Sequence, residues 1–219
     1  MNTTLLFAEL LIIGLQSAVW IFILLMNVLG TRWVQVIQAS NLAAWQTVIV
    51  VIALSVFYVI GVIIDRASDA LFSKWERSLR RTWFPDPPMP IVVLRFELAR
   101  GNEHLNHQFE YNRSRMRISR ASALNFGLTT LMGVIFILTR AQISSLHATW
   151  TLFFTIVVIG AALTLGAAFT WRKLMRGYFG MLKEYSRFIQ PKEVETVSAL
   201  KNKNKQPVLK KTRGKQRQP

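Results

Sequence analysis

Hydrophobic and polar positions fall into long separate blocks along this chain, without the short alternation that is typical of strands. Four blocks are apolar over close to the ~20 residues that a helix needs to cross a bilayer. They cover residues 5–30, 45–64, 122–139 and 150–170. The third is the shortest, and its helix gains length if it continues from the arginine-rich segment before it. The pattern predicts an all-α integral membrane four-helix bundle with helical extensions outside the bilayer.

The spans pair into two predicted transmembrane hairpins, residues 1–64 and 122–170, and residues 65–121 between them form a predicted helical module. Leu71, Trp75 and Leu79 lie at i, i+4 and i+8 among basic residues. This spacing predicts an amphipathic helix that lies on the membrane surface or against another helix.

Prolines at 85, 87, 88 and 90 end that helix, because proline disrupts a helix interior. The following run IVVLRFELAR fits a buried strand or a short helix equally well. Asn102 is a predicted N-cap, from which a helix runs into the third span.

The fourth span also continues beyond its apolar block. Residues 171–190 are predicted to form an amphipathic helix with one apolar stripe, and Pro191 is predicted to end it. Residues 191–219 hold many basic and few apolar residues, so they are predicted to be a disordered basic tail.

The formal charge of +16 conflicts with a hydrophobic content of 52% unless the two kinds of residue are segregated. Residues 65–121 and 171–219 hold 25 of the 27 Lys and Arg residues. Since basic residues favour the cytoplasmic side, both segments are predicted to be cytoplasmic. The N-terminus is then cytoplasmic as well, and the topology is N-in and C-in.

Three polar residues share one face of the first span. Glu9, Gln16 and Asn27 fall within about 20° of one another at 3.6 residues per turn. Polar groups are costly in hydrocarbon, so this polar stripe should face protein or water. It either forms hydrogen bonds between helices or lines a pore.

Acidic residues follow directly after the second span. Asp65 and Asp69 lie one turn apart with Arg66 beside them. Carboxylates at a helix C-terminus oppose its dipole, so they should have cationic partners. Arg66 and the arginines before the third span are the predicted partners, and a cation site at a pore mouth is the alternative.

Four arginines precede the third span, in the segment EYNRSRMRISRASALNFG. Arg113, Arg117 and Arg120 fall within about 60° on a helix, whereas Arg115 points elsewhere. The first three are predicted to meet lipid phosphates or nearby acids. The alternative is a site for a phosphorylated ligand, and Arg115 is predicted to belong to it.

The chain contains no cysteine, which excludes disulfides and zinc–thiolate sites. Glu103, His107 and Glu110 share a helix face that fits a solvated surface or, less well, a metal site. No catalytic constellation is found, so we expect no enzyme activity and no cofactor. The tail has no aromatic residues to stack bases, so anionic lipid or an acidic protein is favoured over nucleic acid.

Three stretches (AELLIIGLQ, YVIGVIIDRASD and SRMRISRASALN) resemble small, uncharacterised four-span proteins of bacterial inner membranes. The resemblance covers about a quarter of the chain. It implies a bacterial plasma membrane and no particular activity.

The expected function is that of a homo-oligomeric membrane sensor or effector that responds at its cytoplasmic face to an anionic ligand or a partner protein. A pore is one form that it could take. The alternative is a membrane anchor or scaffold that recruits a cytoplasmic partner through residues 65–121 and the basic tail.

Overall fold

The structure is a computed structural model that describes residues 3–30, 45–85, 91–100, 102–140 and 145–203, with side chains from residue 4 to residue 186. Within these ranges the chain forms helices and no strand. The helices are α1 (Thr3–Leu29), α2 (Gln46–Trp83), α3 (Ile91–Ala99), α4 (Glu103–Thr139) and α5 (Leu146–Lys203). The all-α prediction is confirmed for this part of the chain.

Four of the helices, α1, α2, α4 and α5, are long and apolar enough to cross a membrane. Many of their apolar side chains point outward, as Leu15, Val51 and Val158 do with more than half of their surface exposed. Such a surface is stable in lipid and costly in water. The protein is therefore a multi-pass membrane protein, as the sequence predicts.

Three of these helices continue well past their apolar spans, and α4 does so as predicted. The side chain of Asn102 caps α4 by accepting a hydrogen bond from the Leu105 amide at 3.1 Å. This bond satisfies one of the donors that a helix leaves free at its N-terminus. Residues 91–99, for which the sequence left strand and helix open, form the short helix α3.

The predicted helix end at Pro191 is wrong, because α5 continues to Lys203. A proline removes one N–H from the hydrogen-bond ladder, and a long helix tolerates this loss because its other bonds remain. Residues 191–203 are thus helical where a disordered tail was predicted. Residues 204–219 of that tail lie outside the described residues.

Helix α1 crosses α2 at a point of backbone contact. A Cβ added to Gly14 would lie 1.7 Å from the carbonyl oxygen of Phe57, and one added to Gly61 would lie 1.9 Å from that of Leu10. No side chain fits at either position. Glycine is therefore required for α1 and α2 to approach this closely.

Helix α4 lies between α1 and α5 and packs on α5 through small residues. A Cβ on Gly160 of α5 would lie 1.9 Å from the Thr130 hydroxyl of α4, and one on Gly127 would lie 3.8 Å from Thr164. Gly160 and Thr164 belong to a ridge of small residues on α5, at the i, i+4 spacing that lets helices approach closely. In the structure Gly160 and Thr164 pack within the chain.

The larger hydrophobic core lies mostly beyond the spans, where α2, α3, α4 and α5 converge. Its buried members are Phe72, Leu94, Leu98, Leu105, Phe109, Met116, Ala123, Trp171, Met175, Tyr178, Phe179 and Leu182. Of the predicted amphipathic face of α2, Leu71 and Trp75 remain exposed, and Phe72 beside them is buried instead. This core holds the extended ends of the helices in fixed positions around a cavity.

Candidate functional site: an arginine-lined cavity

The polar stripe of α1 faces α4. Gln16 accepts a hydrogen bond from the Ser122 hydroxyl at 3.0 Å. Asn27 donates to the Met132 carbonyl oxygen at 3.2 Å. Glu9 accepts from Arg117 at 3.0 Å. Each member of the stripe thus has a partner on α4, which is the packing role that the sequence weighed against pore lining.

Asn125 of α4 sits in the middle of this interface and is almost completely buried. Its side-chain oxygen accepts from Ser17 at 3.0 Å and from the Trp20 indole at 3.1 Å. Its amide nitrogen donates to the Ile13 carbonyl oxygen at 3.2 Å. The sequence analysis did not single out Asn125, although an amide inside an apolar span is itself a signal.

Two arginines and three carboxylates form an ion-pair network at the ends of the spans that carry the helical extensions. Arg117 bonds Glu9 of α1 at 3.0 Å and lies 3.7 Å from Asp65 of α2. Arg120 bonds Asp69 and lies 3.4 Å from Asp65. The predicted pairing of the α2 acids with arginines before the third span is therefore present.

This network is mostly withdrawn from solvent. The side chains of Arg117 and Arg120 are 16% and 12% exposed, and that of Glu9 is 6% exposed. Charges in such surroundings are stable only when paired, and loss of one partner is costly. The network accordingly joins α1, α2 and α4 by bonds that depend on one another.

A cavity of about 730 Å³ lies next to this network and is bounded by α2, α3, α4 and α5. We call it the arginine cavity. The basic residues in its wall are Arg66, Arg80, Arg81, Arg95, Arg113, Arg117 and Arg120. The acidic residues in its wall are Asp65, Asp69 and Glu76. Since Asp65 and Asp69 bond Arg117 and Arg120, the rest of the wall carries a clear excess of positive charge.

Arg113 and Arg95 approach each other across this cavity from α4 and α3. Partial burial and the charge of Arg95 both lower the pKa of Arg113. Burial raises the pKa of Tyr178, and the nearby charge of Arg95 opposes this shift. Like charges held together at a partly desolvated site favour an added anion, because it would relieve their repulsion.

Glu76 of α2 is the acidic group of the wall that lies outside the ion-pair network. Burial and the charge of Asp69 raise its pKa, whereas Arg120, Arg80 and Arg113 oppose this shift. A raised pKa favours the neutral carboxyl, which repels an anion less than a carboxylate does. Glu76 and the charged residues that shift its pKa all lie beyond the apolar spans.

The structure separates the four arginines of the predicted run differently from the sequence analysis. Arg115 was predicted to belong to a ligand site, yet it lies over the Tyr111 ring at 5.4 Å, outside the arginine cavity. Arg113, which was grouped with the anchoring arginines, lines the cavity instead. Helix angles place side chains on a face but cannot say which neighbouring segment covers that face.

The other residues that the sequence analysis singled out lie in or near the arginine cavity. Arg66 lines the arginine cavity. Glu103, His107 and Glu110 line a smaller cavity of about 290 Å³ together with Glu9. Among the described residues no group of three or more His, Cys, Asp or Glu side chains could hold a metal ion.

Several wall residues were not identified from the sequence. Arg80 and Arg81 were interpreted as the polar side of an amphipathic helix, whereas Arg95 lies on the next helix, α3, and Tyr178 on α5. No spacing rule connects positions 80, 95, 113 and 178. Only the packing of four helices around one volume brings these side chains together.

Comparison of the chain with protein-family models, with curated proteins and with solved structures finds no match.

Proposed function

We propose that this chain is a four-helix-bundle protein of a bacterial plasma membrane, oriented N-in and C-in, that acts as a sensor or effector. Its stimulus is an anionic ligand that binds in the arginine cavity from the cytoplasm. The proposal depends on the arginines of the cavity wall that do not belong to the ion-pair network. Arg80, Arg81, Arg95 and Arg113 converge there from three helices.

A response to the ligand requires a connection between the cavity and the spans, and Arg117 supports one. Its guanidinium belongs to the cavity wall and also bonds Glu9 of α1. An anion in the cavity competes with Glu9 and Asp65 for this guanidinium. Binding would then weaken the link between α1 and α4, which is a difference in contacts between two states.

The test is a proximity measurement between α1 and α4. Because the chain has no cysteine, Leu5→Cys and Asn106→Cys can be labelled with pyrene; both residues line the small cavity beside Arg117. We expect pyrophosphate to reduce excimer emission in the purified full chain. Arg113→Gln should abolish the effect, and Arg115→Gln should leave it intact. An unchanged response in Arg113→Gln would contradict the proposal.

The pore form of this function has less support than the sensor form. A pore within one chain would be lined by Glu9, Gln16 and Asn27. These side chains instead form hydrogen bonds with α4. The Gly160–Thr164 ridge, which would suit contact between copies, packs within the chain. Ion flux into liposomes that is lost in Glu9→Gln would instead favour the pore.

A scaffold that recruits an acidic cytoplasmic partner is the second candidate. The observation that favours it is the concentration of 14 Lys and Arg residues in residues 171–219. Deletion of residues 204–219 leaves the described helix α5 intact. The scaffold role predicts that this deletion removes a co-purifying partner while the pyrene response to pyrophosphate remains. The sensor role predicts no such loss.

A further inference from the structure

The arginine cavity has two chemically different sides. Besides its arginines, the wall contains the apolar side chains of Phe84, Ile91, Val92, Met175 and Phe179. The rings of Phe84 and Phe179 meet edge to face, with centroids 6.3 Å apart. An inorganic anion would contact the basic side alone. A ligand that also uses the apolar side must carry an organic portion.

The size of the cavity supports the same conclusion. A volume of about 730 Å³ lies within the range of about 300–1,000 Å³ that is typical of organic ligand sites in proteins. Such sites combine apolar walls with a few polar groups that fix orientation. In this cavity seven guanidinium groups outnumber three carboxyl groups, two of which already bond Arg117 and Arg120.

Two further donors in the wall have no acceptor among the described residues. They are Trp171 Nε1 and Arg120 Nε, both buried. Trp171 is only 2% exposed and borders the cavity directly. Buried donors without acceptors are uncommon in proteins. Neither atom is open to the cavity, so these donors add partial positive charge behind the wall without reaching a ligand themselves.

A phosphate group fits these requirements better than a carboxylate does. It offers three acceptor oxygens and up to two negative charges, and the guanidinium fork pairs with it in a bidentate geometry. Arg80 of α2, Arg95 of α3 and Arg113 of α4 can approach one group from three directions. A single carboxylate has two oxygens and one charge, too few for three guanidiniums.

We propose that the arginine cavity binds an organic phosphate. Its phosphate lies among Arg80, Arg95 and Arg113, and its apolar portion lies against Phe84, Val92 and Phe179. This inference rests on the proposed function and names the ligand class of the same site. Two sources provide this chemistry, a soluble phosphorylated molecule and the phosphate headgroup of a lipid.

The experiment compares four probes by isothermal titration calorimetry on the full chain in detergent. They are phenyl phosphate, inorganic phosphate, benzoate and benzyl alcohol. We expect phenyl phosphate to bind at least ten times more tightly than each of the others. Arg113→Gln should weaken phenyl phosphate binding at least tenfold, and Arg115→Gln, two residues away and outside the cavity, should change it less than twofold.

Each other result overturns a stated part of the proposal. Equal affinity for benzoate excludes phosphate selectivity, and equal affinity for inorganic phosphate excludes use of the apolar wall. Equal losses in Arg113→Gln and Arg115→Gln would show surface attraction without a site. Absence of binding by every anion would also overturn the proposed function, whereas preference for benzoate would overturn only the ligand class.

The second arm distinguishes the two sources of phosphate. The chain is placed in nanodiscs of phosphatidylcholine alone or with one-fifth phosphatidic acid, and phenyl phosphate is titrated into both. Weaker binding with phosphatidic acid assigns the cavity to a lipid headgroup and its attached chain. Equal binding in the two nanodiscs assigns it to a soluble ligand.

Discussion

Arg117 of α4 donates to Glu9 of α1 across 3.0 Å, and the same guanidinium forms part of the wall of the arginine cavity. One side chain therefore contributes both to the contact between two spans and to the candidate binding site. Its other neighbour, Asp65 of α2, lies 3.7 Å away. A change at Arg117 should affect the stability of the spans and the affinity of the cavity together.

Arg117→Leu should lower the free energy of unfolding by about 3 kcal/mol, because it leaves Glu9 buried without its cationic partner. Glu9→Gln should lower the free energy of unfolding by less. Arg117 still has Asp65 as a partner, and the amide oxygen of Gln still accepts a hydrogen bond. Unfolding in mixed detergent and SDS measures both. The matched control is Arg100→Gln, whose ion pair with Glu97 is exposed and spans 3.9 Å; we expect a cost below about 1 kcal/mol.

Glu76 should make the protein less stable as pH rises. Its pKa is raised above the ordinary value of 4.5 by burial and by Asp69. A carboxyl whose folded pKa is raised contributes stability that is present below pH 4.5 and lost as pH rises through the folded pKa. In Glu76→Gln this loss should disappear. A stability curve against pH with the same slope in wild type and variant would contradict the assignment.

The same carboxyl should make anion binding dependent on pH. The charged groups around it are Asp69 and Arg80 of α2 and Arg113 and Arg120 of α4, with Arg95 of α3 and Tyr178 of α5 in the same wall. Sulfate is a suitable probe because its charge is constant across this range. Its affinity should rise as pH falls and Glu76 becomes neutral. Glu76→Gln should bind sulfate more tightly at pH 7 and with little pH dependence.

Gly14→Ala should separate α1 from α2, because the new methyl group would lie 1.7 Å from the Phe57 carbonyl oxygen. We expect it to lower the free energy of unfolding by about 1–3 kcal/mol or more. The control is Gly166→Ala in α5, where nothing lies within 4 Å of the added carbon. That change should be neutral or slightly stabilising, since alanine favours a helix over glycine. Similar costs at both positions would exclude the close α1–α2 contact.

Asn125→Ala removes three hydrogen bonds between α1 and α4. Interhelical bonds of this kind contribute about 0.6 kcal/mol each on average in membranes, so we expect a total loss of about 1–2 kcal/mol. Ser55→Ala is the control, because the Ser55 hydroxyl bonds only the Val51 carbonyl oxygen of its own helix. Indistinguishable unfolding of the two variants would show that Asn125 does not join the spans.

The proposed orientation can be tested with single cysteines, since the chain has none of its own. Ser78 of α2 lies on the side of the arginine cavity, and Ser145 lies before α5 at the opposite end of the spans. In intact cells an impermeant maleimide should label Ser145→Cys. It should label Ser78→Cys only after the membrane is opened. The reverse pattern would invert the topology.

Features that depend on neighbouring residues could be predicted from the sequence. The apolar spans, the Asn102 cap and the continuation of α4 beyond its span follow from local hydrophobicity and hydrogen bonding. The pairing of Asp65 and Asp69 with arginines followed from their shared depth in the membrane. The helix end predicted at Pro191 was wrong, because one missing N–H does not outweigh the hydrogen bonds of a long helix.

The cavity could not be predicted, because its wall is assembled from positions far apart in the chain. The helix angles placed Arg115 and Arg113 on different faces, but it is Arg113 and not Arg115 that lines the arginine cavity. Arg113 differs from Arg115 because it lines the same cavity as Arg95 of α3, and the charge of Arg95 lowers its pKa. The position of α3 depends on how Leu94 and Leu98 pack in the core, which no periodicity reveals.

Helix α4 runs without a proline or a break through 37 residues, a length of about 55 Å at 1.5 Å per residue. One end carries Arg113 in the cavity wall, and just beyond the other end Arg140 donates to the Asn27 carbonyl oxygen at 2.9 Å. If such a helix tilts as a rigid body about one end, a tilt of about 5° moves its other end by about 5 Å. A movement of α4 at the cavity wall would therefore be transmitted to the contact between Arg140 and the C-terminal end of α1, because α4 has no hinge between these two sites.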